Sequence, residues 1–295
     1  MDLSNLVIII LNYNNYGLTI NAVENLTQYL DKVKIIIVDN YSTNDSFNIL
    51  SERFKSDKHI DIISSVKNGG YSYGNNVGIQ YACKKYNNIK YIVIMNPDIE
   101  LKNTSTITSI LDILEKNEDI AIASGLQIYN DKILGPYQNY WRLPNKFTGI
   151  IDNSFINYFH KRKNISYDYK NNYFTVEVIS GCFFMIKRKV FEELNIFDEN
   201  VFLYFEENIL SSKLKKLNYK AVISTDSIFY HNHINMKTKT ILQQLNNKII
   251  TLKSKKYFYF NYVTSNLFLK FIFSVFSIID FCITALIIFI MKLID

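Results

Sequence analysis

A chain of 295 residues, 48% apolar and 20% charged, is long and apolar enough to bury a large core, which excludes disordered and collagen-like classes. Its 33 basic and 27 acidic residues leave a formal charge of +6, scattered except around Lys161-Arg162-Lys163 and Lys253 to Lys256, so no nucleic-acid partner is expected. Cys83, Cys182 and Cys282 form no CxxC pair, which argues against a disulfide framework or a zinc site and for a reducing compartment. Met1 leads almost directly into Leu6 to Leu11 without the basic flank and cleavage site of a signal peptide, so the body of the chain is expected in the cytoplasm.

In chain order, Leu6 to Leu11, Val33 to Val38 and Tyr91 to Met95 are short apolar runs rich in β-branched residues, the pattern of strands buried on both faces of a parallel sheet. Leu18, Ala22, Leu26 and Leu30 recur at helical spacing, as do Val77 with Tyr81 and Ile110, Leu111 and Leu114. The first part therefore reads β-α-β-α-β-α-β, a nucleotide-binding architecture. Ligands of such sheets sit at the carboxyl ends of the strands, here Asn12 to Gly17, Asp39 to Ser46, Lys67 to Asn76 and Asn96 to Glu100. Beyond Gly125, Tyr129 to Lys146 reads as loop, Tyr173 to Val178 as a half-exposed strand, Cys182 to Lys187 as a buried strand, and Glu206 to Leu217 as a helix.

Phe271 to Met291 is almost wholly apolar and long enough to cross a bilayer. Asp280 near its middle would cost about 2.5–3.5 kcal/mol in a spanning helix, so it needs a partner or neutrality there. A helix lying on the membrane surface avoids that cost, and a helix packed on the protein's own core remains open. The expected division is 1–125, nucleotide-binding half; 126–235, acceptor-binding and catalytic half; 236–295, membrane-associating helical tail.

Five clusters carry chemistry. Asp39 closes a buried strand and can accept a hydrogen bond from a base N–H or cap an Asx turn. Asn68, Gly69, Gly70, Gly74, Asn75 and Asn76 precede a helix and let backbone N–H groups approach a phosphate. No Lys-Ser/Thr closes that loop and GxGxxG is absent, so neither a P-loop nor a dinucleotide site is supported. Asn96-Pro97-Asp98 ends a strand with one acid and one amide oxygen, either a divalent-cation site completed by waters, phosphate oxygens and a distant imidazole or a proline turn. Glu206 and Glu207 open a helix; one can cap it or bind an acceptor hydroxyl while the other acts as general base. His231 and His233 fall on alternate faces of a strand, so at most one of them faces a given site.

Taken in order, these pieces resemble the inverting family-2 glycosyltransferases of GT-A fold, the rhamnosyltransferase-like branch in particular. The resemblance rests on Asn12-Tyr13-Asn14, Val38-Asp39-Asn40 with Ser42, Asn68-Gly69-Gly70 with Gly74-Asn75-Asn76, Asn96-Pro97-Asp98, Ser180-Gly181-Cys182, and Phe197-Asp198-Glu199 through Glu206-Glu207. Covering about Leu6 to His231, it implies an α/β fold with a Rossmann-like mixed sheet flanked by helices, to which the hydropathy adds the apolar C-terminal helical tail.

By the same resemblance Asn12, Tyr13, Asp39, Asn68, Gly69, Gly70, Asn75, Asn76 and Asn96 bind the nucleotide sugar. Asp98 and His231 hold Mg2+ or Mn2+, and Glu207, beside Glu206, deprotonates the acceptor. Two positions depart from the family pattern: Asn44 stands where an Asp is common, and Asn96 replaces the first acid of the metal motif. The function implied is transfer from dTDP-rhamnose or a UDP-sugar to a glycan or lipid-linked glycan, at the cytoplasmic face of the membrane, in cell-surface polysaccharide synthesis such as O-antigen or capsule. A catalytically silent nucleotide-sugar-binding or scaffold subunit is the alternative.

Overall fold

The computed structural model describes residues 3–153, 172–232 and 240–294; Lys161-Arg162-Lys163 and His233 lie outside them. Strands β1 (Leu6–Asn12), β2 (Lys34–Asp39), β3 (Ile60–Ser64) and β4 (Tyr91–Met95) pair in parallel in the order β3-β2-β1-β4. Side chains alternate across β1, so Leu6, Ile8 and Ile10 pack on one face and Val7 and Ile9 on the other. The first face is covered by α1 (Tyr16–Tyr29), α2 (Ser46–Phe54) and α4 (Ser105–Lys116), and the second by α3 (Gly70–Lys85), α6 (Arg188–Glu193) and α7 (Glu206–Lys216). Both faces being covered explains why these strands read as continuous apolar runs.

The sheet continues antiparallel. β11 (Phe183–Lys187) inserts between β4 and β6 (Ile120–Tyr129), antiparallel to both. The long β12 (Lys220–His231) runs parallel to β6, and its far edge takes β9 (Tyr173–Val176) at one end and β5 (Ile99–Glu100) at the other. The sheet is therefore mixed, with helices on both faces, as expected.

Three local readings change. Tyr173 to Val178 is not one strand: β9 pairs with β12, whereas β10 (Val178–Ile179) pairs with β8 (Tyr140–Trp141) in a separate two-stranded sheet. Glu177 sits at the break, where its carboxylate accepts from the Leu143 N–H and pairs with Lys215. Tyr129 to Lys146, read as loop, contains β7 (Lys132–Ile133) and β8. β3 escapes the pattern search because Asp61 interrupts its apolar run; that acid accepts from the Tyr86 hydroxyl and the Lys85 ammonium, both 2.5 Å away.

The C-terminal helices α8 (Ile241–Phe258) and α9 (Leu267–Ile294) are joined through a π-helical turn, Tyr259–Val263. A capping box between Thr240 and Gln243 starts α8. The partner that Asp280 requires is Lys248 of α8, 2.5 Å away, with the carboxylate 8% exposed. Near its start α9 packs on the protein: Phe273 is fully buried, stacks on Tyr259 at 4.3 Å, and its carbonyl accepts from Asn153 at 3.1 Å. Yet most of Leu267–Met291 is not buried, and among the described residues this is one helix long and apolar enough to cross a membrane.

Removing one member of a buried ion pair strands the other charge. Lys248→Met is expected to lower unfolding stability in detergent by about 3–5 kcal/mol, whereas Lys248→Met with Asp280→Leu returns it close to the wild-type value. Equal stability of the single and double variants would remove the pair from the account.

Candidate active site

The carboxyl ends of β1 and β2 are zipped together. Asn12 is fully buried, accepts from the Thr19 hydroxyl (2.9 Å) and donates to Asp39 (2.7 Å). Asp39, 2% exposed, also accepts from the Ser42 hydroxyl (2.6 Å) and N–H (3.0 Å). Asn14 ties the two loops by accepting from the Thr43 N–H at 2.8 Å while its own N–H donates to Ser42 at 2.8 Å. Asn12 and Asp39 thus hold the loop shape, and Tyr13 and Tyr41, 45% and 57% exposed, are the aromatic faces that the loops present outward.

Next to them, Asn68 accepts from Asn40 (3.1 Å) and from the Gly70 N–H (3.2 Å). The glycine-rich stretch does not precede a helix as expected but opens α3 from Gly70, whose φ is +87° and where a Cβ would lie 1.9 Å from the Phe202 carbonyl oxygen, so only glycine lets the start of α3 meet the loop before α7. The Tyr71 N–H donates to that same carbonyl at 2.9 Å. Asn75 and Asn76 are both buried. Asn75 donates to the Tyr71 carbonyl, and Asn76 clamps Phe197 through its N–H and carbonyl (3.0 Å each) and donates to Glu199 (2.8 Å). Of the two, Asn76 faces the Phe197 loop, and Asn75 bonds back to the first turn of its own helix.

Asn96-Pro97-Asp98 forms a turn closed by the Ile99 N–H donating to the Asn96 carbonyl at 3.2 Å. β5 follows the turn at once and pairs Ile99 with His231 of β12. That register brings His231 Nε2 to 3.1 Å from Asp98 Oδ2. Gln127 of β6 lies 2.8 Å from His231 Nδ1 and so orients the ring. Burial pushes the imidazole down, but hydrogen bonds to Asp98 and the Cys182 thiol outweigh it and carry the group up to about 10. A cation ligated through Nε2 would have to displace that proton.

Among the described residues, no three His, Cys, Asp or Glu side chains gather as a metal set. The donor pair still fits a hard divalent cation that keeps waters and the oxygens of a diphosphate, with a carboxylate, an imidazole and the amide of Asn96 at one strand-end turn.

The adjacent acids diverge. Glu206 is buried at 6% exposure with Oε2 unbonded, while Glu207 is half-buried and lines a cavity of about 430 Å³ together with Trp141, Arg142, Tyr204, Asn208 and Lys255. Burial pushes both carboxyls up, and the charge of Glu207 raises Glu206 further. Glu207 Oε1 accepts from the Gly181 N–H at 3.2 Å, which favours its charged form.

One short turn joins these corners. The Gly181 N–H meets Glu207, its carbonyl accepts from the Tyr71 hydroxyl (2.5 Å), and the next residue, Cys182, accepts the Asn96 N–H (2.8 Å) on its carbonyl. Gly181 and Cys182 are one peptide apart, so the acid that faces the cavity and the Asp98 and His231 pair flank a single turn. Tyr71, Gln127 and Trp141 were not named among the candidates from sequence. Tyr71 lies inside the glycine-rich stretch, where only the fold shows that its hydroxyl reaches Gly181.

Residues 7–195 match the profile of the family described as Glycosyl transferase family 2. The chain is similar to the low-salt glycan biosynthesis hexosyltransferase Agl10 of Haloferax volcanii, 26% identical over 70% of this chain and 60% of that protein. It is also similar to the rhamnosyltransferase WbbL of Escherichia coli, 28% identical over 77% of this chain and 84% of that one. Among solved structures, GalNAc-T7 with UDP, GalNAc and Mn2+ has a TM-score of 0.65 at 15% identity, covering 86% of this chain and 47% of that one. The mannosyltransferase PcManGT of Pyrobaculum calidifontis with GDP-Man and Mn2+ has a TM-score of 0.59 at 13% identity, covering 92% and 69%. The chain thus spans about half to two thirds of several of these proteins, and at such identities the structural likeness carries the fold.

The raised Glu206 carboxyl makes a prediction about stability. Its folded form binds a proton more tightly than its unfolded form, so folding stability falls as pH rises from the ordinary glutamate value through the raised one. Glu206→Gln removes that loss. The variant's unfolding midpoint is expected to match wild type near pH 4 and to exceed it increasingly toward neutrality, and a pH-independent difference would contradict the assignment.

Proposed function

The chain belongs to glycosyl transferase family 2, and from that premise we propose that it moves a sugar from dTDP-rhamnose or a UDP-sugar to a hydroxyl of a glycan or lipid-linked glycan acceptor, with inversion. The observation that carries this reading is the Gly181-Cys182 turn, which sets the Glu207 carboxylate against one residue and the Asn96-Pro97-Asp98 turn against the next. The exposed rings of Tyr13 and Tyr41 and the glycine loop before α3 would take the base and the phosphates.

Asp98 and His231, with Asn96, would hold a divalent cation, which supplies charge neutralisation for the departing diphosphate. Glu207 then takes the proton of the acceptor hydroxyl entering from the cavity, and the oxygen attacks the anomeric carbon from the face opposite the diphosphate. Its partly buried position keeps it a stronger base than a solvated glutamate. The neighbouring Glu206 carboxyl is raised in turn by its burial and by the charge of Glu207. Names of similar proteins such as hexosyltransferase and rhamnosyltransferase support the reaction class. The apolar α9 supports a seat at a membrane, and the proposed reading puts it on the cytoplasmic face, in cell-surface polysaccharide synthesis.

Glu207→Gln is expected to lower sugar transfer by about 10²–10⁴-fold while leaving nucleotide-sugar affinity within a few fold, read by mass spectrometry of product and by calorimetry. Wild-type protein that binds donors yet shows neither transfer nor hydrolysis across a donor panel would favour the silent binding subunit instead. Asp98→Ala is expected to abolish the Mn2+ or Mg2+ dependence of nucleotide binding and to cost transfer at least about 100-fold. Unchanged metal dependence would move the cation site elsewhere.

A further inference from the structure

The segment Phe197 to Phe205 leads directly into the acid pair, and its last two residues, Tyr204 and Phe205, both lie in the left-handed region at φ 71° and 70°. Two consecutive non-glycine residues stay there only where their surroundings hold them. From the sheet side, Asn76 clamps Phe197 and the Tyr71 N–H holds the Phe202 carbonyl. From the other side, the C-terminal helices grip it. Tyr257 and Tyr262 both donate to Asp198 Oδ2, at 2.9 and 2.6 Å, Ser254 donates to the Leu203 carbonyl at 2.8 Å, and the Phe258 ring packs 5.6 Å from that of Phe205.

The π turn accounts for the double grip on Asp198. Residues five apart in a continuous α-helix point about 140° from each other. The Tyr259–Val263 turn, wound with bonds from i to i+5, brings Tyr257 and Tyr262 back to one face. Single π turns of this kind often occur at functional sites. Asp198 also accepts from the Asn200 N–H and side chain on its other oxygen, at 2.9 and 2.7 Å. Burial pushes this carboxyl up, and the hydrogen bonds from Tyr262, Asn200 and Tyr257 more than reverse that, so it is an ionised, acceptor-only hub.

We propose that Asp198, Tyr257, Tyr262 and Ser254 are positioning residues for sugar transfer: the α8 and π-turn brace fixes the strained loop that aims Glu207 into the cavity. The proposal rests on the reading of Glu207 as the base. The four lie outside the Asp39, glycine-loop and Asp98 corners, and although the braced loop meets the start of α3 at the Phe202 carbonyl, the proposal puts their effect on the base. Its signature is a fall in kcat at unchanged KM for the donor.

The test compares full-length Tyr257→Phe with Tyr262→Phe combined, each single variant, Ser254→Ala and Glu207→Gln, with rates normalised to nucleotide-binding sites counted by titration. A merely structural role would reduce the number of binding sites or the melting temperature but not the rate per site. The double variant is expected to lose between about 10-fold and 100-fold in kcat per site, as for a base displaced by an ångström or less, with the donor KM within about twofold. Each single variant, which keeps one hydroxyl on Asp198, falls between. Should the double variant fail to fold, Ser254→Ala decides, since it removes one hydrogen bond to the loop and is expected to lower kcat per site in the same way. Unchanged kcat per site in the folded variants, beside an inactive Glu207→Gln, overturns the brace alone. A Glu207→Gln protein at the wild-type rate removes the base assignment and the brace with it.

Discussion

The site depends on where β11 enters the sheet. This strand runs antiparallel between β4 and β6, so the turn before it, Gly181-Cys182, arrives at the carboxyl end of β4, where Asn96-Pro97-Asp98 leaves. The main chain of two residues then touches three things at once: the Tyr71 hydroxyl, the Glu207 carboxylate and the Asn96 N–H. Gly181 has little room for a side chain, since a Cβ would stand 3.0 Å from Glu207 Oε1. A parallel strand in the same slot would bring its opposite end to that place and separate the acid from the Asp98 turn.

The surrounding elements stabilise groups that are costly where they stand. A buried acid next to a second acid, an imidazole against a carboxylate and two left-handed aromatic residues would each destabilise an isolated loop. The fully buried sheet residues on either side, from Ile8 and Ile10 on one face to Phe184 and Ile186 on the other, contribute the apolar burial that offsets these terms. The same logic holds at the C-terminus, where Asp280 in an apolar helix is matched by Lys248.

Much of this was legible in the sequence because it follows from local pattern. The runs at Leu6, Val33 and Tyr91 announce strands covered on both faces, and the unusual polar clusters fall where such strands end. What stayed hidden depends on pairing across distance. The contact of Asp98 with His231 needs the two-residue β5 to find the end of β12, and no periodicity reports a strand of two residues. Gln127 lies on β6, beside a glycine that weakens the strand pattern, and its role exists only once β12 lies alongside. In the sequence nothing sets Asp198 apart from the neighbouring acids Glu199, Glu206 and Glu207, because its hydroxyl donors arrive from α8 and the π turn, far along the chain. Asn76, placed by motif with the ligand groups, spends its amide on the Phe197 loop, whereas Asn75 donates to the Tyr71 carbonyl and keeps its buried oxygen unbonded.

The central claim is that a single turn sets the acid of the acceptor cavity beside the corner that receives the donor's diphosphate. Crystals of the full chain with a nucleoside diphosphate and Mn2+, read by the anomalous signal of manganese, test it most directly. The account predicts one manganese peak in contact with Asp98 and His231, with the diphosphate reaching from it toward Gly181. A manganese and nucleotide bound away from Asp98 and His231 would contradict it.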